Sequence, residues 1–469
     1  MATALVCSKG GGNAMSRVGK YMLGQCRGMG RLAMLLALVL LPSWHAAPSA
    51  AVVLPPPRCD WSDQDYDGFY SAPDLAGLTP EGLGEVLRVE HIWSYTPEKV
   101  AAAAGLESSA HGAEAYRILY LSQAPVGTLR AVSGLMVVPT GPIPAAGFPI
   151  VADGHGTVGL ADVCAPSKSS LTVKDLLVWV ARGYLVTATD YVGLGTPGLH
   201  PYVVGEAAAF SMLDGARAAR RFCDADHGLP EPVGANLVIL EGHSQGGHAA
   251  LFAHQVWESY APEMTVVGTV AFAPGSEIRR LAQDMFEHWS TLVGAGALAV
   301  YAYNQYYEDG DGLQRWLQEP YASQLPERAE RQCLLGLSLW LGFKAERVYQ
   351  PSMVTAVREQ QWGLLQPWVD YLDRNTPGNY TSDVPVLVLQ GEADPLVPPE
   401  VSRQLTRRLC ARGTPATLSL YAGVGHSVPK HARPEALQWI ADRLAGMPTT
   451  GSCDEVLFHT YLPSVKRGS

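Results

Sequence analysis

Five short runs that are apolar on nearly every residue, separated by helix-like stretches, constrain this chain more than any other feature. They are FPIVAD (148–153), YLVTATD (184–190), NLVILEG (236–242), TVVGTVAFA (265–273) and VPVLVLQG (384–391). A run hydrophobic on both faces suits a strand buried between helices in a parallel sheet. The stretches Leu171–Arg182, Glu206–Cys223, Gln245–Tyr260, Pro399–Ala411 and Pro434–Leu444 carry helix-like patterns. Strand and helix alternation of this kind predicts an α/β fold with a mostly parallel, doubly wound sheet. Arg117–Gln123 and Arg130–Pro139 read as a preceding hairpin around a Pro-Val-Gly turn, and residues 52–85, rich in Pro, Asp and Gly, as an irregular segment wrapping the surface.

The alternation breaks once. Between the fourth and fifth apolar runs lie about 110 residues with helix-like patterns at Glu277–Leu292, Leu313–Gln318 and Cys333–Arg347. Five of the eleven tryptophans fall there: Trp289, Trp316, Trp340, Trp362 and Trp368. They either fill the core of a small helical subdomain or line an apolar pocket in a cap over a cleft; the two readings are compatible. The expected division is a leader at 1–51, a first core segment at 52–276, a helical insertion at 277–380 and a second core segment at 381–469.

Lys9, Arg17, Lys20, Arg27 and Arg31 precede the apolar run Leu32–Leu41, and small residues follow, with cleavage expected after Ala47, Ala50 or Ala51. This is the order of a secretory signal, and ten apolar residues are too few to span a bilayer, which needs about 20. The 469-residue chain carries a formal charge of −10, and beyond residue 51 it holds 29 basic against 44 acidic residues. So acidic a body argues against nonspecific nucleic-acid binding. Without Cys7 and Cys26 the exported chain keeps Cys59, Cys164, Cys223, Cys333, Cys410 and Cys453, with no CxxC pair or zinc-like spacing. An even count in an exported protein favours disulfides, and the spacing alone leaves all 15 connectivities open.

The chemistry concentrates at Gly242-His243-Ser244-Gln245-Gly246-Gly247. A G-x-S-x-G pattern alone is weak, but this one directly follows an apolar strand and opens a helix-like run. A serine on such a turn is forced into a strained backbone with its Oγ raised above the sheet, where the helix N-terminus favours developing negative charge. Ser244 is therefore the expected nucleophile. It needs a base, and the base needs a carboxylate. Asp394, in the turn of QGEADPLVPP, is the expected acid, with Glu392 its competitor. His426, on the glycine-rich loop of YAGVGHS, is the expected base; His431 is its nearest rival, and His243 and His248 flank the serine too closely to reach back. The oxyanion donors are expected to be the backbone N–H of Gln245 and one from the loop after FPIVAD, at Gly156 or Thr157.

That loop, Gly154-His155-Gly156-Thr157-Val158-Gly159, also matches G-x-G-x-x-G, with Asp190 ending the next strand, so a dinucleotide site is the rival reading. Against it, LADVCAPS with Pro166 intervenes before any helix opens.

HGTVGLADVCAPS, TDYVGLGTPGLHPY, GHSQGGHAAL, GEADPLVPP and GVGHS together resemble the secretory lipase family of α/β-hydrolases, from about residue 90 to 445. Position by position the resemblance implies Ser244, Asp394 and His426 as the catalytic set, within an α/β-hydrolase fold carrying a helical cap. It also implies the bridges Cys164–Cys333 and Cys410–Cys453, leaving Cys59–Cys223. The function it implies is a secreted ester hydrolase, a lipase or carboxylesterase, acting on acyl esters or lipids with no cofactor or metal and making transient contact with lipid interfaces. Another acyl-transfer enzyme, such as an aminopeptidase or acyltransferase, and a noncatalytic binding protein are the alternatives, since a fold underdetermines its substrate. Oligomeric state is not legible. Asn379-Tyr380-Thr381 is a glycosylation sequon that matters only in a eukaryotic secretory route.

Overall fold

A computed structural model describes residues 56–453 apart from 62–67, 170, 289, 308–311 and 450. The expected leader lies outside the described residues. Nine strands form one sheet: β1 (Val86–Tyr95), β2 (Gly112–Gln123), β3 (Leu129–Thr140), β4 (Phe148–Gly154), β5 (Leu185–Thr189), β6 (Gly234–His243), β7 (Thr265–Phe272), β8 (Val386–Gly391) and β9 (Ala416–Tyr421). Their order is β1-β2-β3-β5-β4-β6-β7-β8-β9, antiparallel from β1 through β5 and parallel from β5 onward. All five apolar runs are strands of the parallel part, and β5 and β8 are buried at every position. The edge strand β1 went unread because its residues, VLRVEHIWSY, alternate with charge and are mostly half exposed.

The α-helices in chain order are α1 (Pro97–Ala104), α2 (Leu171–Val180), α3 (Gly205–Arg221) and α4 (Gln245–Tyr260), then α5 (Ile278–Glu287), α6 (Leu292–Tyr306), α7 (Tyr321–Ala329), α8 (Leu334–Leu341), α9 (Ala345–Val348), α10 (Pro351–Arg358), α11 (Trp368–Arg374), α12 (Pro399–Ala411) and α13 (Pro429–Leu444). Helices α5 to α11 all lie between β7 and β8, the interval where the strand rhythm fails. The expected helix Glu277–Leu292 is in fact two, broken between Glu287 and Leu292. The second, α6, was missed because it carries two glycines. There they serve contact: a Cβ on Gly294 would strike Ser338 of α8, and one on Gly296 would strike Tyr349 and Met285. Cys333–Arg347 breaks at Gly342, whose φ of +79° ends α8, and only Leu313–Arg315 of the Leu313–Gln318 stretch is helical. Helix α13 opens at Pro429, which takes the first-turn position suited to proline, so that Pro434 falls inside the helix instead of starting it.

One continuous apolar core joins the sheet face under α3 and α4 to the inserted helices. Trp316 and Trp368 are buried in it with ring centroids 6.1 Å apart, so these tryptophans fill helical core. Trp289 lies outside the described residues. A single buried residue ties the end of the insertion back: the Asn375 side-chain oxygen accepts from Gly205 N–H (2.8 Å) and its carbonyl accepts from the His248 ring (2.8 Å).

All six cysteines of the described residues are bridged, as Cys59–Cys223, Cys164–Cys333 and Cys410–Cys453. The first ties down the segment at 56–61, where Trp61 is buried and donates to the Cys223 carbonyl (2.9 Å), so part of this segment is core and does not merely wrap the surface.

Candidate active site

Strands β4 and β6 run side by side with Gly154 opposite Gly242, and both end at the same rim of the sheet. There β6 turns directly into α4 through Ser244, whose φ of 59° and ψ of −113° place it outside the regions L-residues prefer. Such a conformation costs on the order of 1–3 kcal/mol and persists only where its surroundings force it. Here Ser244 N–H donates to the Phe272 carbonyl (2.9 Å), and the Ser244 carbonyl accepts from His248 and Gly275. The crossing is tight enough that a Cβ on Gly242 would overlap the Gly246 carbonyl, and one on Gly246 the Gly154 carbonyl. Both glycines of the motif are thus required by the backbone.

The loop after β4 passes over this turn. A Cβ on Gly156 would sit 3.8 Å from the Ser244 Cβ, which puts the Gly156–Thr157 backbone beside the serine. The Thr157 hydroxyl shares a 2.7 Å hydrogen bond with Tyr202, and the Leu334 N–H of α8 donates to the Val158 carbonyl (2.8 Å), next to the Cys164–Cys333 bridge. The Gln245 side chain donates to His200 Nε2 (3.1 Å), whose Nδ1–H in turn meets the Val192 carbonyl (3.1 Å). Burial pushes His200 down to about 3, so it stays neutral and able to accept. The Gln245 side chain is held aside, and its backbone N–H sits in the first turn of α4, where helical N–H groups lack intrahelical partners.

At the end of β8, Asp394 accepts from the Leu396 and Val397 N–H groups (2.9 and 3.0 Å) and, through Oδ2, lies 2.7 Å from His426 Nδ1. Burial alone would raise this carboxyl, but the His426 ring and the two backbone donors outweigh it and hold it below the ordinary carboxylate value. An ionised Asp394 fixes His426 with its proton on Nδ1 and leaves Nε2 free. The competitor Glu392 is exposed and faces Arg403. His431 is exposed on α13, and His248 is buried against Asn375. The dinucleotide reading finds no support: Asp190 is buried and consumed by the Ser133 hydroxyl and by the hydroxyl and N–H of Ser167.

Gly156, Thr157, Ser244, Gln245 and His426 all line one cavity of about 750 Å³. Its far wall comes from the inserted helices, with Ile278, Leu281, Leu292, Leu335 and Leu339. Ser244 and His426 face the same space without a formed hydrogen bond between them; serine–base contacts commonly tighten only around substrate. None of the described tryptophans of the insertion lines this cavity; Trp368 reaches only a small apolar recess beside it. Among the described residues no Asp or Glu lines the cavity either.

Two features escaped the sequence reading. His243 sends Nε2–H to the His426 carbonyl (2.8 Å). Asp153 and Glu241 stand opposite each other on β4 and β6 just beneath the turn, and burial followed by the Asp153 charge pushes Glu241 well up, Arg433 opposing. Their signal was present: Asp153 is the last residue of one apolar run and Glu241 the next to last of another.

A strained strand-to-helix serine, an ordered His–Asp pair and a backbone-rich loop over the serine thus meet at one rim of a mostly parallel sheet with the α/β-hydrolase fold. The chain belongs to the secretory lipase family, whose model matches residues 167–452. The chain is 24% identical over 307 residues to a secreted triacylglycerol lipase of Malassezia globosa, a match that spans 63% of each protein. It is 27% identical to a probable inactive lipase of Mycobacterium tuberculosis, over 82% of this chain and 83% of that one. The structure superimposes on the rice cell wall degrading esterase LipA of Xanthomonas oryzae with a TM-score of 0.65 at 20% identity, covering 80% of this chain and 99% of the other.

Proposed function

We propose that the protein hydrolyses carboxylic esters of apolar acids through a covalent acyl-enzyme on Ser244. The observation that carries this reading is the strained Ser244 facing, across one apolar cavity, a histidine already held by an ionised Asp394. In the proposed sequence His426 Nε2 takes the Ser244 proton as Oγ attacks the acyl carbonyl. The carbonyl becomes an oxyanion that receives the Gln245 N–H and one N–H of Gly156–Thr157, each donor contributing about 3 kcal/mol to the transition state. Asp394 stabilises the imidazolium, which then protonates the departing alcohol. Water repeats the steps and frees the acid.

Helices α5 to α11 serve as a cap whose aliphatic side chains receive the acyl group. An aminopeptidase would need an acidic group to hold a free amine, and the cavity offers none among the described residues. A noncatalytic role would leave the strain at Ser244 without return. Export through a leader at 1–51 that is then removed accords with the three bridges. The substrate is a small acyl ester or a lipid.

The test is Ser244→Ala on a p-nitrophenyl ester, with turnover expected to fall by roughly 10⁶. A variant keeping a tenth of the activity would place the nucleophile elsewhere.

A further inference from the structure

We infer that His243, the residue before the serine in the G-x-S-x-G turn, is a positioning residue for the reaction, joining the nucleophile to the loop that carries the base. The inference rests on the reading of Ser244, His426 and Asp394 given above, and adds a group that reading does not use.

The base loop has three described attachments to its surroundings near the site, and two of them lead to the acid. Ala393 N–H donates to the Val424 carbonyl (2.9 Å), and Asp394 bonds the His426 ring. These fix His426 relative to Asp394, yet both ends of that pair sit on the β8–β9 side of the sheet. The third runs to the nucleophile: His243 Nε2, 2.8 Å from the His426 carbonyl oxygen. The ring of His243 packs at 4.5 Å from that of His426, and its own carbonyl and Nδ1 lie against Gly156, where a Cβ would meet them at 3.5 and 3.7 Å. One imidazole, on the residue beside the nucleophile, therefore touches both the loop of the second oxyanion donor and the main chain of the base.

The protonation state suits a donor that carries no charge. Burial pushes His243 down to about 4, helped by the neighbouring His426 and opposed by its bond to the His426 carbonyl. At neutral pH it is a neutral ring with its proton on Nε2, so it orients His426 without adding charge that would disfavour the imidazolium formed during catalysis. A group that only fixes distance should act on kcat, since displacement of a reacting group by about 1 Å can cost about 100-fold.

The test compares His243→Met with His243→Gln in the full, disulfide-bonded chain. The two side chains are close in length, and only glutamine can donate to the His426 carbonyl. With a dissolved p-nitrophenyl ester we expect His243→Met to lower kcat by about 10- to 100-fold with KM changed less than 3-fold, and His243→Gln to recover kcat to within about 5-fold of the parent. The low-field proton resonance of the His426–Asp394 bond should weaken in the Met variant and return in the Gln variant; a packing role alone would not separate the pair. Equal kcat in the two variants, whether both high or both low, or a change confined to KM, overturns the proposal. Should the Met variant fail to fold, a His243→Gln protein below a tenth of the parent kcat overturns it as well, and one within about 5-fold supports the donor role. Ser244→Ala is run alongside: activity surviving there would reject the nucleophile assignment itself, a failure distinct from this one.

Discussion

At Ser244 the backbone is held at φ 59° by a ring of close neighbours, and the cost of that conformation makes the neighbours as decisive as the serine. Gly246→Ala is the sharpest case. Its methyl would overlap the Gly154 carbonyl, and neither the end of β4 nor the start of α4 can retreat without moving the Gly156–Thr157 loop. The expected outcome is a protein that fails to accumulate folded, or folds with turnover down at least about 100-fold; normal yield and activity would contradict the close crossing. A second residue-scale prediction concerns Glu241. Its carboxyl is held protonated in the fold, where the unfolded chain would release the proton above about 4.3. The folded state then binds more protons than the unfolded state, so this residue's contribution to stability falls as pH rises. Glu241→Gln keeps the hydrogen-bond donor toward Asp153 and removes the titration. Its melting temperature relative to the parent should therefore be higher at pH 8 than at pH 4.5, and a pH-independent difference would contradict this account. The juxtaposition of Ser244, Asp394 and His426 at one rim was legible because each sits next to a strand signal. His243 as a tie was not, because the main-chain carbonyl it meets lies 183 positions away and carries no residue signature.

At the scale of elements, the sheet order explains why a serine after β6, an acid after β8 and a histidine after β9 share one rim: parallel strands all end on the same side. The ends of β6 and β8 follow from the apolar runs, whereas β9, mostly half-buried, is not one of the five. The inserted helices were harder to read, because their limits depend on contacts: α6 tolerates glycines only because α8 and Tyr349 press against them. The insertion is tied to the core by Asn375 near its end and by Cys164–Cys333 at its middle. That bridge closes 169 residues and fastens the loop after β4 to the start of α8. Removing a bridge of this kind typically costs 2–5 kcal/mol, chiefly by freeing the unfolded chain. Cys164→Ser with Cys333→Ser should lower the denaturation midpoint accordingly and reduce kcat more than the same change at Cys410 and Cys453, a bridge that joins α12 to residue 453 and not the loop after β4 to α8. Equal losses of kcat in the two double variants would show that the bridge supports stability alone.

At the scale of the molecule, an aliphatic cavity of about 750 Å³ has Ser244 at its wall and no acidic lining among the described residues. Burial of apolar acyl surface contributes about 0.8 kcal/mol per CH₂, so kcat/KM for p-nitrophenyl esters should climb about 3- to 4-fold per added methylene until the cavity is filled. A series from two to sixteen carbons, with aminoacyl anilides beside it, checks this; a flat series, or preference for the anilides, would contradict an apolar acyl site.

The central claim is that Ser244 forms the covalent intermediate. Treating the folded protein with a fluorophosphonate and mapping the adduct by peptide mass tests it most directly. The account predicts one stoichiometric adduct, on Ser244, with esterase activity lost in step. Full modification at another residue, or activity that survives a fully labelled Ser244, would contradict it.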